Sequence, residues 1–191
     1  MTLKEIIQLA QTNIGEDTDD DSITEAKTEK SIVTHINRAY MDIIANDWRP
    51  FKSVTVTLDA DSAFELSAIP DLREIKLVKS GDTECQLENG NSSDTVVVIG
   101  ATPLSSVDVV YYNTVDKLEL DDDEPEFPEQ YHDALADYAA YRMLCTGSLT
   151  RQQRGAVFYN EYQQKRDGIR SAAHSRRANR HHFINRYAGV Y

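Results

Sequence analysis

The stretch Ser31-Ile32-Val33-Thr34-His35-Ile36-Asn37-Arg38-Ala39-Tyr40-Met41-Asp42-Ile43-Ile44-Ala45-Asn46-Asp47-Trp48-Arg49-Pro50-Phe51-Lys52-Ser53-Val54-Thr55-Val56-Thr57-Leu58 changes its period partway along. Ile32, Val33, Ile36, Ala39, Tyr40, Ile43 and Ile44 recur at three- and four-residue steps, the stripe of an amphipathic helix. Trp48 and Pro50 mark its end. From Phe51 the repeat shortens to two: Val54, Val56 and Leu58 alternate with polar residues, as a strand with one buried face does. Helix gives way to sheet within a few residues, so the chain mixes segregated helices and strands.

On the N-terminal side, Thr2-Leu3-Lys4-Glu5 has capping-box spacing and predicts a helix start. Leu3, Ile6, Ile7, Ala10 and Ile14 form its stripe, and Gly15 is a natural left-handed stop. On the C-terminal side, Asp59-Ala60-Asp61-Ser62 supplies a turn and Phe64 and Leu66 a return strand, the pattern of a hairpin. Further strands are expected at 74–79, 85–87, 95–99 and 107–112, separated by Gly81, by Asn89-Gly90-Asn91 and by the segment from Gly100 to Pro103. Residues 116–129 form an acidic loop broken by Pro125 and Pro128, the latter suited to a first helical turn. Tyr131, Ala134, Leu135, Tyr138, Ala139, Tyr141 and Leu144 then predict an aromatic helix ending near Gly147. Thr150 is placed to cap a last helix whose inward side includes Ala156, Val157, Tyr159, Tyr162 and Ile169, and beyond Gly168 no period is sustained. The expected class is α+β: a helical bundle (1–50 and 116–168) with an inserted antiparallel β-sheet or sandwich (51–115) and an extended C-terminal arm (169–191).

The charge is divided as sharply as the periodicity. The 191 residues carry 20 Lys and Arg against 32 Asp and Glu, a net charge of −12. Nine of the basic residues lie from Arg151 onward, against Glu161 and Asp167 alone; that segment is +7 and the rest −19. An acidic body is repelled by nucleic acid, and only the basic tail suits phosphates. Mean hydropathy is −0.52 and 40% of residues are hydrophobic, modest for a self-contained globule and suited to a chain completed by partners. The sequence contains no apolar run near the roughly 20 residues needed to cross a bilayer, and the stretch from Met1 to Glu5 does not read as a secretory signal. Cys85 and Cys145 fall in different predicted elements and read as reduced thiols.

Most constellations that imitate chemistry fail on their spacing. Asp17-x-Asp19-x-Asp21 opens like a calcium loop, but Ser22 stands where the sharp turn needs glycine and Thr28 where a bidentate glutamate is needed. The carboxylates from Glu119 to Glu129 sit in a continuous acidic loop, without the walled pocket that separates an acid from a base. His174, His181 and His182 lie among arginines and lack a neighbouring Cys or acidic ligand. No nucleotide-binding, nucleophile-elbow or zinc-protease motif occurs, so neither an enzyme nor a cofactor is indicated. The tail is different: Arg176, Arg177, Arg180 and Arg186 interleave with Phe183, Ile184, Tyr187 and Tyr191, residue types that anchor interfaces. An arm that orders on a protein partner is the preferred reading. The alternative is a nucleic-acid-binding regulatory or packaging accessory protein that uses the same tail on DNA.

Ile36-Asn37-Arg38-Ala39-Tyr40, Val109-Val110-Tyr111-Tyr112, the run from Pro125 to Leu135, Tyr138-Ala139-Ala140-Tyr141 and Phe158-Tyr159-Asn160-Glu161-Tyr162 together resemble the head-to-tail adaptor (connector) proteins of tailed bacteriophages, over residues 23–168. The resemblance implies a virion neck protein, made in the host bacterial cytoplasm, that forms a ring, usually dodecameric, under the portal protein. It would extend the DNA channel, let DNA pass without specific binding, and offer a surface to tail or neck proteins, with no membrane partner and no cofactor. On that reading the arm residues Arg176, Arg177, Arg180, Phe183, Ile184, Arg186, Tyr187 and Tyr191 dock on the portal. Asp17, Asp19, Asp20, Asp21, Asp121, Asp122, Asp123 and Glu124 face the channel or a neighbouring subunit. Tyr40, Tyr131, Tyr138, Tyr141, Tyr159 and Tyr162 pack helices within and between subunits.

Overall fold

The computed structural model describes residues 1–15, 25–89, 94–99 and 105–185, with the backbone alone at 25–27, 89 and 177–185. The chain divides into two compact units, Met1–Trp48 with Lys117–Tyr191, and Arg49–Asp116.

The first unit is helical. Helix α1 (Leu3–Ile14) starts on the expected capping box: Glu5 N–H donates to Thr2 Oγ1 (3.4 Å), and Thr2 N–H donates to the Glu5 carboxylate (2.9 Å). Its end differs from a left-handed cap. Gly15 has φ +77° with ψ 162°, a region open in practice to glycine alone, and it lies against the Arg154 guanidinium. Helix α2 (Glu25–Asn46) buries Ile32, Ile36, Ala39, Tyr40, Ile43 and Ile44. Pro128 leads into a 3₁₀ turn (Glu129–Tyr131), and α3 (Ala134–Leu144) begins only after it. Ala134, Ala136, Ala139 and Ala140 are all buried, and these short side chains let α3 pack closely against α1, α2 and α4.

Helix α4 (Leu149–Asn185) corrects three expectations. Ser148, not Thr150, precedes its first turn and accepts from Arg151 N–H (3.3 Å). Its inward face runs through Gly155, Tyr162 and Ile169, while Ala156, Val157 and Tyr159 are exposed. At Gly155 a methyl group would lie 3.1 Å from Leu144 Cβ, so the missing side chain permits the close approach to the end of α3. Gly168 does not end the helix, which continues to Asn185. Ile169, one residue later, is fully buried, and a methyl at Gly168 would lie 2.7 Å from Tyr131 Cε1. The glycine is required by the ring above it.

The second unit is antiparallel β. Strands β1 (Phe51–Thr57), β3 (Leu72–Ser80), β4 (Thr83–Glu84) and β7 (Ser106–Asn113) form a sheet in the order β1-β7-β3-β4. Strands β2 (Ala63–Glu65), β5 (Gln86–Asn89) and β6 (Thr95–Ile99) form a second, in the order β2-β6-β5. The expected hairpin between the strands flanking Asp59–Ser62 is not made. β1 pairs with β7 (Phe51↔Tyr112) and β2 with β6 (Phe64↔Val96). The Asp59 carboxylate accepts from Asp61 and Ala63 N–H, and Ser62 takes φ +59°, so the turn hands the chain from one sheet to the other. Leu66 enters a 3₁₀ turn instead of extending the strand. Both sheets contribute to one core, Val56, Val78, Val107, Val109 and Tyr111 from the first and Phe64 and Val98 from the second, with Leu58 and Ile69 from the connections. At the β3–β4 hairpin Gly81, first of two loop residues, has φ +59°, as a II′ turn requires. Cys85 lies in this unit and Cys145 in the helical one, and both are free.

Candidate functional site

The basic residues of α4 are largely engaged inside the helical unit. Arg151 donates to Met143 O (3.3 Å) and Arg154 to Ile14 O (3.2 Å), so each neutralises the carbonyl end of a neighbouring helix. Lys165 bridges Asp133 (2.8 Å) and Asp137, whose other oxygen accepts from Asn13 Nδ2 (3.2 Å). Burial pushes the Asp137 carboxyl up, and the Lys165 ammonium restrains that rise. Arg166 and Arg170 (2.6 Å) donate through Nε to the two oxygens of Asp47, and Arg166 also meets Asp42 (2.7 Å). The Asp47 side chain is 2% exposed and that of Arg166 14%, so this pair is an internal tie and not a surface bridge. The Arg176 guanidinium lies 5.2 Å from the centre of the Trp48 ring.

Of the arm residues, Arg176 is exposed on α4 beside Trp48. Arg177, Arg180, Phe183 and Ile184 continue that helix by their backbone. Arg186, Tyr187 and Tyr191 lie outside the described residues, as do Asp17, Asp19, Asp20 and Asp21. The second acidic cluster is an ordered strap. Leu3 and Lys4 N–H donate to the carbonyls of Asp123 (2.8 Å) and Asp121 (3.1 Å), joining the strap to the start of α1. The Asn37 side chain grips the Leu118 backbone at both N–H (2.8 Å) and C=O (2.9 Å), and Tyr40 Oη accepts from Glu126 N–H (3.3 Å). Asp123 turns inward, accepting from Glu119 (2.6 Å) and Leu120 (2.8 Å) N–H. The Leu120 and Glu119 amides hold its carboxyl below the usual carboxylate range. Asp121, Asp122 and Glu124 are exposed.

The tyrosines divide. Tyr40 and Tyr162 are buried, which pushes each phenol up to about 12. Tyr138, Tyr141, Tyr159 and Tyr162 form a run of ring contacts across α3 and α4, with centroids 5.0 Å apart for Tyr138–Tyr162 and 4.7 Å for Tyr141–Tyr159. Tyr131 lies over Gly168. Beside the run, α2, α3 and α4 enclose a cleft of about 390 Å³ to which Arg38, Asp42, Arg142 and Arg166 contribute. Nearby His35 is held below its usual value by burial and by Arg142 and Arg38. This arrangement lacks a paired acid and base in an apolar pocket; its donors suit carboxylates. Sequence reading overlooks the cleft because Arg38 and Arg142 belong to different helices and only α2–α3 packing brings them together. The one local signal is Arg38 with Asp42, a helical i,i+4 pair away from the buried stripe.

Among the described residues no helix is long and apolar enough to cross a membrane, and no group of His, Cys, Asp and Glu is arranged to hold a metal ion. A family model described as SU10 adaptor protein matches residues 1–183. The match takes in α1 and nearly all of α4, beyond the 23–168 over which the sequence resemblance runs. A search of curated proteins found no match.

Proposed function

The chain belongs to the SU10 adaptor protein family, and on that premise we propose that it is the structural head-to-tail adaptor of a tailed bacteriophage, a virion neck protein without catalysis or cofactor. In this reading it assembles as a ring, of twelve copies by analogy with such adaptors, beneath the portal, extends the DNA channel and presents a surface to the tail or next neck component. The observation that carries the reading is the family match across both units and into the end of α4. Two physical features support it. A net charge of −12 keeps DNA from being held by phosphate contacts while it passes. Repeated weak contacts from many identical copies add up by multivalency, which suits a component that joins a preformed portal.

The arm is the portal-binding element of the proposal, and the structure moves the place where it can be cut. Ile169, Arg170 and Arg176 contact the helical unit, so a cut that spares these contacts falls after Arg176. Removing 177–191 is expected to leave the thermal unfolding midpoint within a few degrees of the full chain, about 1 kcal/mol or less in a unit of this size. It is also expected to abolish incorporation into portal-containing heads, scored by sedimentation of heads with tagged adaptor. Normal incorporation of the truncated chain defeats the assignment of the arm. The DNA-binding alternative rests on fewer cations than the sequence offers, since Arg151, Arg154, Lys165, Arg166 and Arg170 all have partners inside the unit.

A further inference from the structure

Two features of the helical unit are complementary in charge and face away from each other. The first is the cleft beside the tyrosine run. Arg38, Arg142 and Arg166 contribute to it against one acid, Asp42, in a chain whose net charge is −12. Arg166 is already held by Asp42 and Asp47. Arg38 is exposed and makes no ion pair among the described residues, and Arg142 Nε is buried without a hydrogen-bond partner. A guanidinium beside a cleft and without a paired acid is matched best by a carboxylate, which it can hold through two parallel N–H bonds. The ring of Tyr159, in contact with Tyr141, adds an exposed apolar wall.

The second feature is the strap, where Asp122 and Glu124 are exposed and make no ion pair among the described residues. The strap is tied to α2 through Asn37 and Tyr40, whereas the cleft meets α2 at Arg38 and Asp42. At roughly 100° per residue those two pairs of positions point about 150° apart. The acids therefore lie on the far side of α2 from the cleft and cannot reach it in the same chain. We propose that the cleft of one copy takes the Asp122–Glu124 segment of a second copy, Arg38 and Arg142 receiving its carboxylates. Such a contact is head-to-tail, and head-to-tail contacts close into rings when the rotation between copies permits. The inference rests on the adaptor reading for its ring but stands on the cleft and the strap for its residues. A single-stranded nucleic acid would use the same arginines and tyrosine rings, but it would meet a chain of strongly like charge.

The test uses three full-length variants, two of them altered only at the exposed positions Arg38, Asp122 and Glu124. Arg38→Glu disables the acceptor, with Arg142→Gln as a second acceptor variant. Asp122→Lys with Glu124→Lys disables the donor. Sedimentation velocity of the wild-type chain should show assembly rising with concentration and falling with salt. Each variant alone should lose that assembly at least tenfold in concentration dependence while keeping its circular dichroism spectrum and melting midpoint. Mixed together, Arg38→Glu supplies a working donor and Asp122→Lys/Glu124→Lys a working acceptor, so the mixture should recover association that neither variant shows alone. A wild-type chain that stays monomeric, variants that assemble like the wild type, or a mixture that stays monomeric overturns the proposal. So does a cleft variant whose only loss is binding of a fluorescent single-stranded oligonucleotide. Incorporation into heads is scored separately: a chain that joins heads regardless of both reversals loses this pairing and keeps the adaptor reading. A chain that pairs as described yet never joins heads keeps the pairing and loses the adaptor reading.

Discussion

Gly168 shows how one residue is misread when only the chain around it is visible. In a sequence it looks like a helix stop, because glycine is common just past the last turn. In the fold it is an interior helical position chosen for its missing methyl: a Cβ there would lie 2.7 Å from Tyr131 Cε1 and 3.0 Å from its hydroxyl. Tyr131 belongs to a 3₁₀ turn whose N–H is fixed on Pro128 O (3.0 Å), so its ring can yield only by leaving its rotamer. Alanine at 168 gains about 1 kcal/mol of helix propensity, and the overpacking it causes costs about 1–3 kcal/mol. Gly168→Ala is therefore expected to destabilise the chain by about 1 kcal/mol in urea unfolding. In a Tyr131→Ala background the crowding is gone, and the same substitution should be neutral or stabilising by up to about 1 kcal/mol. A Gly168→Ala variant as unstable in that background as in the wild type would refute the ring contact as the cause. Asp47 was silent in the sequence for a related reason. Nothing local marks it as buried, and its two arginine partners lie more than a hundred residues away.

Elements were legible where the apolar pattern is local and hidden where a distant partner decides. The capping box at Thr2, the stripe of α2 and the strands β1 and β7 each appear in the residues alone and in the fold, although on the alternating face expected of β1 Val56 is buried and Val54 is exposed. The partner of β1 did not, since a turn at Asp59 fits both a hairpin and a passage between sheets, and pairing with β7 across about fifty residues decides. Order in α4 beyond Gly168 was also hidden, because among the described residues its contacts past Ile169 include the ion pair of Arg170 with Asp47 and the stacking of Arg176 on Trp48, which no apolar stripe announces. The acidic strap is the sharpest case. Its composition reads as solvated loop, yet one of its acids is structural: Asp123 accepts from Glu119 and Leu120, and the strap's carbonyls receive the first amides of α1. A carboxyl held below its ordinary 3.8 stabilises the fold above that value and loses the contribution as pH falls through the folded value. The strap is thus expected to stay clamped at neutral and mildly acidic pH and to release only in stronger acid. In a carboxylate ¹³C titration Asp123 should titrate below 3.8, and amide exchange at Leu3 and Lys4 should accelerate over the same interval. Titration of Asp123 at or above its ordinary value would remove the clamp from this account.

At the scale of the whole molecule, two units are built from one chain by inserting the second into the first. Each has its own core: Ile36, Tyr40, Leu135, Leu144, Tyr162 and Ile169 are buried in the helical unit, and the valine-rich cluster around Val109 in the β unit. The ends of the insertion meet, since β1 and β7 are antiparallel neighbours in register from Phe51↔Tyr112 to Thr57↔Ser106, and Asn113 N–H donates to Pro50 O. Residues opposite each other in such a ladder are about 5 Å apart, so the chain leaves and re-enters the helical unit across a short gap. That geometry makes the insertion removable. Replacing Arg49–Asp116 by a Gly/Ser linker of about four residues, which spans about 10–12 Å, should leave a helical protein that unfolds cooperatively, with its thermal transition read by far-ultraviolet circular dichroism. The arm and α4 remain in this variant, so in the adaptor reading it should still join portal-containing heads, which would then fail to take tails if the β unit is the tail-facing element. A shortened chain that is unfolded contradicts the independence of the two cores. One that folds, joins heads and still yields tailed particles excludes the β unit as the tail-facing element.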